Sequence, residues 1–460
     1  MIDAVEGASF TRRNFLRLAA GGATLLATGV GCDSGSDTNR SRANSATTPD
    51  GAKGRPTLRI AQYNHYVAGY DRWWEEEYTK RWGERNGIEV LIDHFDITQE
   101  EVHAQAEVAS RRGHDIFQLH WVSTAFEDDV IDHAEIVQAV EAKVGRMTPF
   151  VERSVRNPRT GKYLGLPDYW VASPIHYRRD LWEPLGLRPD AWEHVIDGGR
   201  RLKARGYPVG IGMGPDLESS FGLVGLLHSF GASIQDENAN VVINRPATVE
   251  AVKLGAKLFR QAMTDEVLGW DVPSNNRYLV SGRGSLIVNA VAAIRALEDQ
   301  DPALAANVGL LPVPEGPAGR LTPYSVSIRM IWRFAENQEA AKQFLVDLAT
   351  DYREPFLQSG YLQLPTFPGA VPDLAALVGS DARAQPPEKY ALLAGAADWT
   401  TNLGHPGHTN AAVDEVVKTG IVSKMFATAA RGEMSPEDAV RAAEARIKPI
   451  YDQWRERGKI

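Results

Sequence analysis

The chain has 460 residues, 43% hydrophobic and 24% charged, with a formal net charge of -9. That length exceeds one ordinary core, so two domains or two lobes are expected, and the acidic balance disfavours nucleic acid as the main partner, because phosphate binding needs a basic surface. The single cysteine, Cys32, can form neither an internal disulfide nor a cysteine-based metal cluster.

The first element is "TRRNFLRLAAGGATLLATGVGC", Thr11 to Cys32. A membrane-spanning helix needs roughly 20 predominantly apolar residues. The uncharged run here is shorter and is diluted by Gly21, Gly22, Gly29 and Gly31. Basic residues, then a short apolar stretch, then small residues is the order of an export signal. Arg12 and Arg13, with Phe15 and Leu16 in register, resemble the twin-arginine export motif. Gly29 to Cys32 resembles a lipoprotein processing box, which implies Cys32 as the lipid acceptor. Residues 33–56 are rich in Ser, Asn, Asp, Thr and Gly and lack apolar periodicity. They read as a flexible tether, reaching roughly 25–30 Å root-mean-square.

"TLRIAQY" from Thr57 opens the folded body as a buried strand. A helix to Gly87, a strand "IEVLIDHF", a helix capped by Thr98 with Glu101 and ending at Gly113, and a strand "DIFQLHW" follow. This alternation predicts an α/β lobe with a mainly parallel sheet. Trp170 to Tyr177 is strand-like. Helical segments then fall in "AWEHVIDGGRRLKARG", "SSFGLVGLLHSFG" and "PATVEAVKLGAKLFRQAM". "RGSLIVNAVAAIRAL" reads as a strand entering a helix, and "NVGLLPVPEGPAG" as a strand closed by a turn. "NQEAAKQFLVDLATD" and a last helix opened by Ser435 with Asp438 complete the pattern.

The ordered set "GHDIFQLHW", "GKYLGLPDYWVASPIHYRRDLW", "SGRGSLIVN", "ANVGLLPVPEGPAG", "NQEAAKQFLVDL", "GYLQLPTFPG" and "RGEMSPEDAVRAAEARI" resembles the extracellular solute-binding proteins of ABC importers. That group includes the maltodextrin-binding proteins. The resemblance covers nearly all of Thr57 to Gln453. It implies an α/β, two-lobed periplasmic-binding-protein fold with hinge crossovers and a ligand cleft between the lobes. By that pattern one lobe is 57–168 plus 323–368, and the other 169–322 plus 369–460. The implied partners are a small polar solute, most simply a sugar or polyol, ABC permease subunits, and the bilayer through the N-terminal anchor. No cofactor is implied.

Aromatic rings match the C–H faces of sugars, and Asp, Asn and His match the hydroxyl rim. Such residues beside the predicted strands are the candidate ligand contacts: Tyr63 and Asn64, His120 and Trp121, Asp168, Tyr169 and Trp170, Asn289, and Tyr324. Trp399, Asn402, His408 and Asn410 cluster in "DWTTNLGHPGHTN". The tryptophans inside helices, Trp73, Trp74, Trp82, Trp182 and Trp454, are expected in the core. Asn289-Ala290 stands where many relatives carry an aromatic, which argues against a long oligosaccharide. His405 and His408 lack further ligands at metal-binding spacing. No GxSxG, Walker or HExxH motif is present, so a binder is expected. A secreted carbohydrate-active enzyme, or a sensor on the same fold, are the alternatives.

Overall fold

A computed structural model describes residues 55–120 and 124–460. Arg12, Arg13, Cys32, the tether to residue 54 and Trp121 lie outside the described residues. Strands β1 (Thr57–Tyr63), β2 (Glu89–Phe95) and β3 (Ile116–Leu119) run parallel, with β1 in the middle. The central strand is nearly continuous in buried residues, while edge strand β2 alternates, because only one of its faces meets protein. The chain passes through β4 (Tyr169–Val171) into β5 (Ile175–Arg178), β6 (Val209–Gly210), β7 (Leu286–Val288) and β8 (Val308–Leu311). It returns through β9 (Thr322–Pro323) and β10 (Ser325–Val326) to β11 (Ile328–Ile331), which lies antiparallel on β3.

The second sheet has the order β6-β7-β5-β8 and is mixed, with β5 antiparallel to both neighbours. A third sheet joins β4 to β10 and to β12 (Leu364–Pro365), gathering the segments through which the chain crosses. β13 (Thr400–Thr401) pairs parallel with β9. The strand-like run from Trp170 is two strands, broken at Ala172–Pro174, where Pro174 offers no N–H to a ladder.

The first helix spans Tyr70 to Asn86 with a π-helical turn at Trp74–Thr79, and Gly87 ends it in the left-handed region at φ 69°. Trp73, Trp74, Trp82 and Trp182 are buried, and Trp454 packs half-buried against the core. Thr98 is not a cap. Asp96 accepts from Thr98 N at 2.9 Å and opens a 3-10 turn, and the α-helix starts at Glu100. That helix ends at Arg111, φ 51°, before Gly113, because the Glu107 side chain folds back over Gly113 to receive His114 N. Ser435 caps helix Pro436–Glu456, accepting from Asp438 N at 3.1 Å.

Helix Gln338–Thr350 packs on β11 and on helix Ala134–Val144. Helix Leu217–Ser229 packs on β9, on Pro246–Ala262 and on the C-terminal helices Ala411–Lys418 and Ile421–Ala430. Gly225 permits the close approach to β9, since a Cβ there would lie 2.6 Å from Thr322 Oγ1. Among the described residues no helix is long and apolar enough to cross a membrane.

Four histidines are buried in these packed layers. Burial holds His120, His176 and His228 down at about 3 and His133 at about 4, against an ordinary 6.5. His133 shows why: its Nε2 accepts from Ile331 N at 3.0 Å, a bond that protonation would break. The folded pKa values are depressed, so this stability is present above pH 6.5 and lost as pH falls. Each histidine contributes up to about 1.4 kcal/mol per pH unit in that window. Glu218 and Asp414, raised to about 7 and about 6 by burial, act the other way, as do Asp71 and His114, but His65, held at about 3, and the lowered His405 and His408 add to the four. Urea unfolding followed by circular dichroism is expected to show a midpoint that falls steadily from pH 7 and unfolding near pH 4. A flat profile from pH 7 to 4.5 would contradict this.

Candidate functional site

Two adjoining hollows open between β7 and the start of helix Leu217–Ser229, and one of them also reaches the ends of β1 and β3. They share Ser173, Glu218, Phe221 and Asn289. The larger has about 670 Å³ of space unfilled by protein, its open mouth included. The first sheet and the crossovers contribute Tyr66, His120, Ser325 and Leu362. The second contributes Glu218 and Phe221 from the start of helix Leu217–Ser229, and Asn276 and Asn289 beside β7. Trp270, Asp216 and Asp271 line the neighbouring hollow.

Each wall is held from below. The Glu100 carboxylate accepts from His120 N at 2.7 Å, and His120 Nε2 meets Ser325 Oγ at 2.9 Å. Asn289 donates to Asn276 Oδ1, and its own Oδ1 accepts from Ala290 N at 2.7 Å. Tyr66 keeps 42% of its surface exposed, an unusual state for a large ring. The Glu218 side chain is half-buried by surface, yet protein surrounds it. Burial, then the neighbouring Asp216 charge, pushes its carboxyl up to about 7.

Beneath the cleft lies a buried polar network. Arg329 of β11 donates from Nε to Asp168 at 2.7 Å, both side chains almost sealed from water. Arg329 also reaches Gln62 Oε1 at 3.4 Å and lies 5.1 Å from the Trp74 ring. The Tyr63 and Tyr169 hydroxyls bond to each other, and Gln118 Nε2 donates to Ser327 Oγ at 2.9 Å. Trp170 stands edge-on between Phe150 and Tyr324, at 5.1 and 6.0 Å, and gives its indole N–H to Pro365 O at 3.2 Å.

Residues 68–351 match the profile of a family described as bacterial extracellular solute-binding protein. The chain belongs to that family. Its two-lobed fold is that of solved periplasmic binding proteins. Maltose-bound MalE3 of T. maritima is 20% identical, with a TM-score of 0.68, covering 85% of this chain and 99% of that one. An ABC transporter solute-binding protein of Thermotoga lettingae, bound with alpha-D-tagatose, is 17% identical at a TM-score of 0.70, covering 86% and 100%. One from Agrobacterium radiobacter K84, in complex with ribitol, is 16% identical at 0.68, covering 86% and 98%. The family is one of extracellular solute-binding proteins, and the solved proteins named here share its fold.

Of the sequence-predicted contacts, this solute-binding protein brings His120 and Asn289 to the cleft surface. Tyr63, Asp168, Tyr169 and Trp170 are instead its floor, each under 5% exposed and engaged in the network described. Tyr324 gives its hydroxyl to Ser154 Oγ at 2.8 Å. Asn64 is exposed at the end of β1 and bonds Phe95 O at 3.2 Å. Trp399 is buried. Asn402, fully buried, donates to Gly407 O at 2.8 Å. Asn410 caps helix Ala411–Lys418, accepting from Ala412 N and Val413 N, and donates to Gln235. At the buried positions the fold itself engages the polar atoms that the sequence reading assigned to a ligand. His408 lines a different cavity, with about 930 Å³ of space unfilled by protein, shared with Arg156, Arg159 and Lys459. There Arg159 donates to Ile460 O at 2.9 Å, Lys459 pairs with Asp128 at 2.6 Å, and Arg156 lies 6.0 Å from the Tyr163 ring.

Sequence reasoning missed Tyr66, Phe221 and Glu218. A usable signal existed for two of them. In open α/β sheets, ligands sit where helices begin after strands, and "DLESSF" opens the helix following β6. Across one rim, Lys418 Nζ joins Glu101 at 3.0 Å to Asp414 at 3.0 Å, tying a helix packed on β3 to one packed on Leu217–Ser229. Partly exposed pairs contribute up to about 1 kcal/mol. Lys418→Met is therefore expected to enlarge the radius of gyration of the unliganded protein in X-ray scattering, and to weaken ligand binding about two- to fivefold. Glu101→Gln should do the same, and high salt should mimic both.

Proposed function

We propose that this protein is the lipid-anchored, extracytoplasmic solute-binding component of an ABC importer, capturing a small sugar or polyol and delivering it to a membrane permease. Its lobes are 57–168 plus 323–368 and 169–322 plus 369–460. The observation that carries the reading is the cleft itself. An exposed ring, Tyr66, stands with His120 on one side, and Glu218, Asn276 and Asn289 stand on the other. Ring faces suit sugar C–H faces, and the amide and carboxyl groups suit hydroxyls. Ligand bridging both sides stabilises the closed arrangement by population shift. Asn289-Ala290, standing where many relatives carry an aromatic, argues against a long oligosaccharide ligand. That Trp121, outside the described residues, stacks on the ligand is part of the same proposal.

Thermal-shift screening against hexoses, pentoses and sugar alcohols tests this. Ligand at a thousandfold over Kd should stabilise by about 4 kcal/mol. Tyr66→Ala should weaken binding about tenfold or more, since a stacked ring contributes its burial plus about 1 kcal/mol. A response to amino acids or metal ions alone, with no sugar active, would overturn the proposal.

The export and anchoring part stands on Arg12, Arg13 and Cys32. Cys32→Ala should move the mature protein from the membrane fraction to the soluble fraction, and replacing both arginines by lysine should retain precursor inside the cell. Membrane retention of the Cys32→Ala protein would refute the lipid anchor.

A further inference from the structure

The three carboxylates of the cleft differ in what holds them. Asp216 is spent on its helix cap, its two oxygens receiving Ser219 N and Ser219 Oγ. Asp271 receives Arg277 at 2.6 Å and also Ser274 Oγ. Glu218 has no hydrogen bond or ion pair among the described residues. Protein encloses it on the side of helix Leu217–Ser229, and it opens onto both hollows. Among the described residues no lysine or arginine lines either hollow. His120, an imidazole on the same lining, is kept neutral by burial. Tyr66 lines the same hollow as Glu218, and burial first, then the Glu218 charge, raises its phenol. Phe221 places a second ring in the same space.

A desolvated carboxylate without a cation is costly, so it either takes a proton or gains a partner. Two ring faces beside it favour a cation further. An anionic ligand, by contrast, would meet Glu218, Asp216 and Asp271 with no positive group to receive it. We propose that the ligand carries a protonated amine, as an amino sugar or aminopolyol does, and that Glu218 is the counter-ion that selects it. This rests on the sugar or polyol reading of the cleft. The amine sits between the Glu218 carboxylate and the Tyr66 ring, while Asn276, Asn289 and Ser173 serve the hydroxyls. The charged and titratable groups facing Glu218 are Asp216 on its own helix, Asp271 beside β7, and Tyr66 and His120 across the cleft.

Calorimetric titration of the full protein with glucosamine, galactosamine and glucamine, each beside its neutral counterpart (glucose, galactose, sorbitol), tests the assignment. At least one amine should bind ten times or more tightly than its counterpart at pH 7.5. Glu218→Gln should remove that preference while changing neutral-sugar binding less than threefold. In the wild-type protein the amine's affinity should fall tenfold or more between pH 7.5 and 5.5, as the carboxylate is protonated, with neutral-sugar binding flat. This readout does not depend on the variant folding. Equal binding of amines and neutral counterparts, or a preference that survives Glu218→Gln, overturns the counter-ion role and leaves the sugar reading intact. No binding by any of the six overturns both.

Discussion

Arg329 carries a full charge into a place that water hardly reaches, and Asp168 is what makes that tolerable. Arg329 belongs to β11, while Asp168 immediately precedes β4. Their contact therefore pins the edge of the first sheet to the crossover sheet. Desolvating either ion alone costs several kcal/mol, so register slips that separate them are strongly disfavoured. Neighbouring groups then fall into place. Gln62 and the Trp74 ring flank the guanidinium, and the Tyr63–Tyr169 hydroxyl bond joins β1 to β4. With β4 and β10 paired, Ser173, Ser325 and His120 arrive on one side of the cleft.

That arrangement divides the aromatic residues into two sets. Tyr63, Tyr169, Trp170 and Tyr324 make a floor, where their polar tips are bonded and their faces packed. Tyr66 and Phe221 stand in the walls, where surface is left for a ligand. The Glu101–Lys418 pair stands outside the floor and is partly exposed, so salt screens it, while Asp414 holds Lys418 from the buried side.

Much of the architecture was readable locally. Helix Pro436–Glu456 follows from its cap and apolar spacing, and the first helix ends where Gly87 can take a positive φ. The ordered family segments pointed to two lobes before any contact was known. The cleft was less readable. Trp170 and Tyr66 are both aromatic residues near strand ends, but one is 4% exposed and the other 42%. Nothing within a few residues of either distinguishes them, because the difference is made by Phe150, Tyr324 and Pro365, all distant in sequence. Thr98 illustrates the same limit at shorter range, since Asp96 is the acceptor that takes its N–H.

By itself, then, the sequence determined residue chemistry, helix limits, the order of the family's segments and the resemblance of the N-terminus to an export signal. These depend on neighbours along the chain. Only the tertiary structure decided which polar groups are consumed by the fold and which remain for a ligand. Asp168 and Glu218 are both acidic in sequence, yet one is neutralised by an arginine 161 positions away and the other has no cation in its hollow among the described residues. Burial and pairing are sums over distant contacts, and those sums set what each carboxylate does.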